Sequence, residues 1–306
     1  MKYNRKARLD TSQVRDTRKV GGKGVAFGGG GVGVLGILIY LVVSAVGGSG
    51  AGQAASVVLG QLGQNGQPAT ADNSEIEQSC KTGEDANTRL DCAIVADINS
   101  IQDFWSAELP DAFHHDYATA PTVWFSGQVS TGCGAADSGA GPFYCPADKQ
   151  VYIDLSFYKT IETEFHATGG LFVDAYVLAH EYGHHVQDLL GTEAKVRTRE
   201  GPKSDSVRLE LQADCFAGVW AKHATEPGPN GEPALVASIS AQDFDNAVEV
   251  ARRIGDNWIQ KNLGNGRVNP DTFTHGTSAQ RQKWLTTGYQ TGDPKACDTF
   301  SAADLG

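Results

Sequence analysis

No C-x-x-C pair occurs in the 306 residues, which excludes a tetrathiolate zinc site, and no internal repeat is present, which excludes a repeat array. Basic residues are the minority, 25 Lys and Arg against 36 Asp and Glu, for a net charge of −11. They are also unevenly spread. Residues 1–23 carry eight Lys/Arg against Asp10 and Asp16, a net of +6, which leaves −17 for the remainder. An acidic body argues against nucleic acid as a partner. At 40% hydrophobic residues the chain is neither fibrous nor wholly disordered, and its length suits one sizeable catalytic domain plus a tail.

Charge is absent altogether between Gly24 and Ala71. Within that stretch Val32 to Val46 is nearly all apolar and extends back to Val25, long enough to cross a bilayer as a helix. The competing reading is a cleaved secretory signal, whose apolar core and basic region are both shorter than those here. A soluble core helix is disfavoured by the four consecutive glycines Gly28 to Gly31. The expected organisation is therefore a basic cytoplasmic leader over 1–24, an uncleaved transmembrane anchor over 25–46, a Gly/Ala/Gln/Ser-rich linker over 47–75 and a folded domain over 76–306. By the positive-inside rule this is a single-pass protein of the cytoplasmic membrane, with the N-terminus cytoplasmic and the domain extracytoplasmic.

Six cysteines, an even number at short spacings, suit disulfides in an oxidising compartment. They allow 15 connectivities. Proximity favours Cys80 with Cys92 and Cys133 with Cys145, leaving Cys215 for Cys297.

The chemistry concentrates at His180-Glu181-Tyr182-Gly183-His184. On a helix the two histidines, four apart, lie on one face and reach a single metal ion, with Glu181 beside it as a base. Two surface histidines and a glutamate would match the same pattern. Here, however, the approach from Phe172 to Ala179 is mostly apolar, Val186, Leu189 and Leu190 follow, and Gly191 stands as a helix stop. A buried His-Glu-His group needs a partner, and one zinc ion per chain supplies it. His185 points away from that face and reads as a surface or supporting histidine.

A zinc site that does chemistry uses three protein ligands. A third histidine six residues after His184 would mark a metzincin, but Leu190 stands there. The next amphipathic segment, Ser206 to Trp220, carries Glu210 and Asp214 four apart on one face. Glu210 reads as the third ligand and Asp214 as a carboxylate orienting a ligand histidine, with Asp214 itself as the competing ligand. Cys215 is turned away around the helix and suits a disulfide.

Ala86 to Leu109 predicts a packing helix ending before Pro110, and Asn246 to Leu263 predicts another. Thr122 to Phe125 and Val151 to Leu155 predict strands. Thr277 or Ser278 caps a last helix. The expected fold class is α+β, mostly helical with a small sheet, preceded by the transmembrane helix.

Taken together, TGCGAADSGAGPFYCPADKQVYIDLSFY, VLAHEYGHHVQ, ELQADCFAGVW, FTHGTSAQR and GDPKACDTF, from about Thr131 to Phe300, closely resemble the bacterial putative neutral zinc metallopeptidase family. The resemblance implies a zincin-like catalytic domain of gluzincin type, a peptidase with His180, His184 and Glu210 as zinc ligands and Glu181 as general base, acting through a zinc-activated water on a peptide or protein substrate. It also makes His275, in a late Thr-His segment, the candidate donor to the oxyanion, ahead of Tyr176 and Tyr182. It makes Val151 to Leu155 the candidate strand at the cleft edge, pairing with extended substrate. The Cys80/Cys92 pair lies outside the resembling stretches. The alternative from another class is a catalytically silent zinc-stabilised scaffold that binds partners in the envelope.

Overall fold

A computed structural model of the chain describes residues 1–19, 71–228, 231 and 233–306. Its strands are β1 (Lys2–Tyr3), β2 (Val14–Asp16), β3 (Thr122–Trp124), β4 (Gln128–Thr131), β5 (Gly134–Asp137), β6 (Phe143–Cys145), β7 (Gln150–Ile153) and β8 (Val236–Ser238). The helices are α1 (Ser74–Ser79), α2 (Gly83–Ala86), α3 (Leu90–Phe113), α4 (Phe157–Thr163), α5 (Leu171–Leu189), α6 (Asp205–His223), α7 (Ala241–Arg253), α8 (Asp256–Asn262) and α9 (Ser278–Thr291). The class is α+β, mostly helical, with small sheets.

The centre is a helical layer in which α6 lies between α5 and α9. Both crossings are close because glycine stands at each. A Cβ on Gly183 of α5 would meet Ala213 Cα at 3.0 Å, and one on Gly218 of α6 would meet the Leu285 carbonyl oxygen at 2.2 Å. Backbones at this distance leave no room for side chains between them, so polar groups flanking the crossing are forced into contact. Around them the buried side chains of α3, α5, α6 and α7 form one core, with Trp105, Trp220, Phe172 and Phe216 among its largest members.

One main sheet flanks this layer, with order β2-β3-β7-β6. β2, β3 and β7 run parallel and β6 antiparallel to β7. The strand expected at the cleft edge is therefore misassigned. β7 has its backbone groups engaged on both sides, by β3 and β6, and has no free edge to offer a peptide. β6 is the terminal strand on that side.

Two helix boundaries differ from expectation. α3 runs through Pro110 to Phe113, because a proline so near the end removes only one backbone bond and His114 caps the helix in the left-handed region. The predicted Asn246 to Leu263 helix is two helices broken at Gly255, where a Cβ would lie 2.5 Å from the backbone nitrogen of Ser278. Thr277 caps α9 in a reciprocal arrangement with Gln280. Three disulfides are present: Cys80–Cys92, Cys133–Cys145 and Cys215–Cys297. The last ties α6 to the C-terminal segment.

The transmembrane helix and the single-pass localisation are corrected. Among the described residues no helix is long and apolar enough to cross a membrane. The segment 25–46 and most of the 47–75 linker lie outside the described residues. Residues 1–19, expected as a cytoplasmic leader, are woven into the same body as the metal-helix region. β1 pairs with β8 and β2 with β3. Tyr3 is 2% exposed and its hydroxyl donates to Asp97 at 2.8 Å. Asp72 N–H donates to the Asp16 carbonyl at 2.8 Å. A segment hydrogen-bonded into a domain cannot lie across a bilayer from it, so a cytoplasmic N-terminus with an extracytoplasmic domain is overturned.

Candidate metal centre

His180 and His184 are one turn apart on α5, at the crossing with α6 that Gly183 permits. Glu210 stands on the facing side of α6. Ligand atoms of these three residues all lie within 4.8 Å of one another, and all three residues are buried. His180 Nε2 is 3.2 Å from Glu210 Oε2, and His184 Nε2 is 3.5 Å from Glu210 Oε1. Donor atoms in a tetrahedral zinc site with bonds of about 2.0–2.1 Å are separated by roughly 3.3 Å, so the spacing fits.

The opposite ring nitrogens are already engaged. His180 Nδ1 bonds Asp214 Oδ1 at 2.9 Å, and His184 Nδ1 bonds Gln187 Oε1 at 2.9 Å. With Nδ1–H donating outward, both Nε2 lone pairs face the centre, the arrangement a metal requires. His184 Nε2 is buried without a hydrogen-bond partner, an unsatisfied group that a metal ion would satisfy. The donor set therefore fits zinc.

Supporting groups fix this geometry. Gln187 donates through Nε2 to the Leu209 carbonyl at 2.7 Å, which locks α5 to α6 while its oxygen holds His184. Asp214 is fully buried and its Oδ1 also accepts from the Tyr176 hydroxyl at 2.7 Å and from Arg281 Nη2 at 2.9 Å. Asp214 thus sits on the far side of His180, at Nδ1, while Glu210 is at Nε2.

Charges inside the cluster are strongly perturbed. Burial would raise the Glu210 carboxyl, but the imidazoles of His275, His184 and His180 outweigh it and hold the group far below the usual carboxylate range. Burial would lower His180, but Asp214 and Glu210 push it up to about 10, whereas burial dominates at His184 and lowers it to about 4. Glu181 is pushed up to about 7, chiefly by burial. Its Oε2 accepts the backbone N–H of Tyr144 at 3.0 Å, so the terminal strand β6 aims this carboxylate.

His275 lines the same cleft as His180, Glu181 and Glu210. Its Nδ1 is 2.7 Å from Thr274 Oγ1 and 3.5 Å from Asp256 Oδ1, while its buried Nε2 has no partner. Asp256 Oδ2 holds the segment by accepting the N–H groups of Thr274, His275 and Gly276 at 2.8, 2.7 and 2.9 Å.

The weaker oxyanion candidates are otherwise occupied. Tyr176 spends its hydroxyl on Asp214, and the Tyr182 hydroxyl is held between Thr122 Oγ1 and the Ala120 carbonyl oxygen in the core. His185 is 1% exposed, with Nε2 2.6 Å from the Ala118 carbonyl oxygen, so it braces the back of α5. Sequence reasoning missed Arg281, Gln187, Asp256 and the Tyr144 N–H. Arg281 stands inside the FTHGTSAQR stretch, yet its partner Asp214 lies on another helix, and a backbone donor carries no residue signature at all.

A family model described as putative neutral zinc metallopeptidase matches residues 1–300. An uncharacterized protein of Mycobacterium tuberculosis (strain ATCC 25618 / H37Rv) is 50% identical over 230 residues, which cover 74% of this chain and 76% of the relative. The uncharacterized protein YpfJ of Escherichia coli (strain K12) is 41% identical over 240 residues, 76% of this chain and 78% of the relative. No solved structure matches the chain.

Proposed function

The chain belongs to the putative neutral zinc metallopeptidase family, and from that premise we propose that it hydrolyses peptide bonds in peptide or protein substrates, with zinc held by His180, His184 and Glu210. The observation that carries this reading is the pair of inward-facing Nε2 atoms opposite the Glu210 carboxylate, with Glu181 alongside. Bound zinc supplies Lewis acidity that polarises the scissile carbonyl and makes water nucleophilic near neutral pH.

The chain's own groups do the rest. Glu181, aimed by the Tyr144 N–H, takes the proton of the attacking water and passes it to the leaving amine. Its place in the cleft beside His180 and Glu210, with one oxygen held by that N–H, suits it to both halves of the transfer. His275, braced by Thr274 and Asp256, offers Nε2 to the oxyanion that develops on the carbonyl oxygen. Asp214 and Gln187 keep the ligand histidines in the metal-binding tautomer, and Arg281 balances the charge of Asp214.

The test uses the full chain, its zinc content and cleavage of a degenerate peptide library. About one zinc per chain, lost in His184→Ala and in Glu210→Ala, with cleavage abolished in a Glu181→Gln variant that keeps its zinc, is the expected result. Retention of zinc by the parent chain with no cleavage of any library member would favour the scaffold reading. Absence of zinc from the folded chain in zinc-supplemented buffer would overturn both.

A further inference from the structure

The cleft onto which the candidate metal ligands open has a volume of about 80 Å³, room for several waters or one branched apolar side chain. Its apolar lining is Phe157, Phe165, Val177, Val250, Ile254 and Ile259, contributed by α4, α5, α7 and α8 and the turns after α4 and α7. The ionic groups that reach this cavity are Glu181, Glu210, His180, His275 and Arg281, all members of the metal cluster itself. Among the described residues no other charged residue lines it. The wall starts next to the chemistry, since Val177 and His180 lie three apart on one face of α5.

The wall is also preformed. Phe165 is 3% exposed and stacks on Trp258, its carbonyl oxygen accepts from Arg253 Nη1 at 2.7 Å, and Arg253 in turn lies over the Trp258 ring. Val250 and Ile259 are each 1% exposed and fixed within the folded body. Ala140 to Pro142, which also line the cleft, carry no charge and lead directly into β6, the strand that aims Glu181.

We propose that this cavity is the specificity pocket of the enzyme and takes a large apolar side chain, of the leucine or phenylalanine class, from a residue flanking the scissile bond. The inference rests on the peptidase reading above and adds the substrate class to it. A side chain of this kind removes apolar surface from water on entry, while a carboxylate or ammonium set among these apolar residues would lose its hydration, the charges nearby being engaged already, Arg281 by Asp214 and Glu210 by His180. Phe157 and Ile254, both only partly buried at the ends of their helices, set the depth and width.

Binding is measured by calorimetry on the zinc-loaded full chain with peptide hydroxamates that differ only in one side chain: glycine, leucine, phenylalanine, aspartate or lysine. The leucine and phenylalanine members are expected to bind roughly 10- to 100-fold tighter than the other three. Ile254→Phe, which narrows the pocket, should cost the phenylalanine member most, and Phe157→Ala should reverse the order of leucine and phenylalanine relative to that variant. Zinc content should be unchanged in both. Equal affinity across the series, or a preference that neither substitution moves, would overturn the pocket while leaving the zinc peptidase reading intact. Failure of every hydroxamate to bind the zinc-loaded chain would overturn the pocket and the peptidase reading together.

Discussion

Gly183 and Ala213 touch backbone to backbone where α5 crosses α6, with 3.0 Å between Ala213 Cα and the position a Gly183 Cβ would take. The proposed zinc triad depends on that contact, because Glu210 on α6 must come within ligand distance of two histidines on α5. Gly183→Val pushes the helices apart. It should destabilise the fold by about 1–3 kcal/mol and weaken zinc affinity roughly tenfold or more. Thermal unfolding with and without chelator reads both effects. Wild-type zinc affinity in this variant would show that the crossing does not set the site.

Zinc binding should release protons. His180 is pushed up to about 10 against the lowering effect of burial, by Asp214 and Glu210, so near neutral pH a proton and the metal compete for its Nε2. About one proton per zinc is expected at pH 7, with affinity climbing as pH rises towards 10. Calorimetry in buffers of different ionisation enthalpy measures the count. A binding enthalpy independent of buffer would contradict it.

Asp256 holds His275 directly, through its backbone N–H and beside its ring. Asp256→Asn removes the charge that gathers the Thr274, His275 and Gly276 N–H groups. The rate of cleavage should fall roughly 10- to 100-fold through kcat, with KM and zinc content nearly unchanged. A change confined to KM would assign the loop to substrate binding instead.

Stability should decline with rising pH through one buried acid. Asp174, in the first turn of α5, is pushed up to about 7 by burial and by Glu162. Because the folded value is raised, its protonated form is favoured in the native state. The stabilisation is full below the unfolded value near 4 and is lost as pH rises through 7, about 4 kcal/mol in all. Asp174→Asn should flatten that part of the unfolding profile measured in urea. An unchanged slope between pH 4 and 7 would assign the effect elsewhere.

The residues of the candidate site were legible because His180 and His184, and likewise Glu210 and its neighbour Asp214, obey the four-residue spacing of one helix face. Their meeting was not a local matter. It depends on a glycine whose value lies in the missing methyl group, and on Gln187, whose role appears only where it bridges His184 and the Leu209 carbonyl oxygen. The order of strands was opaque for the same reason. β7 is the more strand-like sequence, yet β3 and β6 flank it, and the short β6 ends the sheet. Charge patterning misled at the N-terminus. Lys2, Arg5, Lys6 and Arg8 read as a solvated leader, but Tyr3 and Val14 between and beyond them are buried, and two residues set into a basic run give no periodic signal.

The pairing of Lys2 with Ser238 and of Val14 with Thr122 joins the opening residues to partners far along the chain. Closing β1 on β8 is a contact of long range, of the kind whose loop entropy slows folding. A shortened version that starts at the first helix would leave the outer edge of β3 unpaired and Asp97 without the hydroxyl that now satisfies it. Residues 1–19 are thus a structural part of the scaffold, and a truncation there removes strand pairing and a buried hydrogen bond from the folded body.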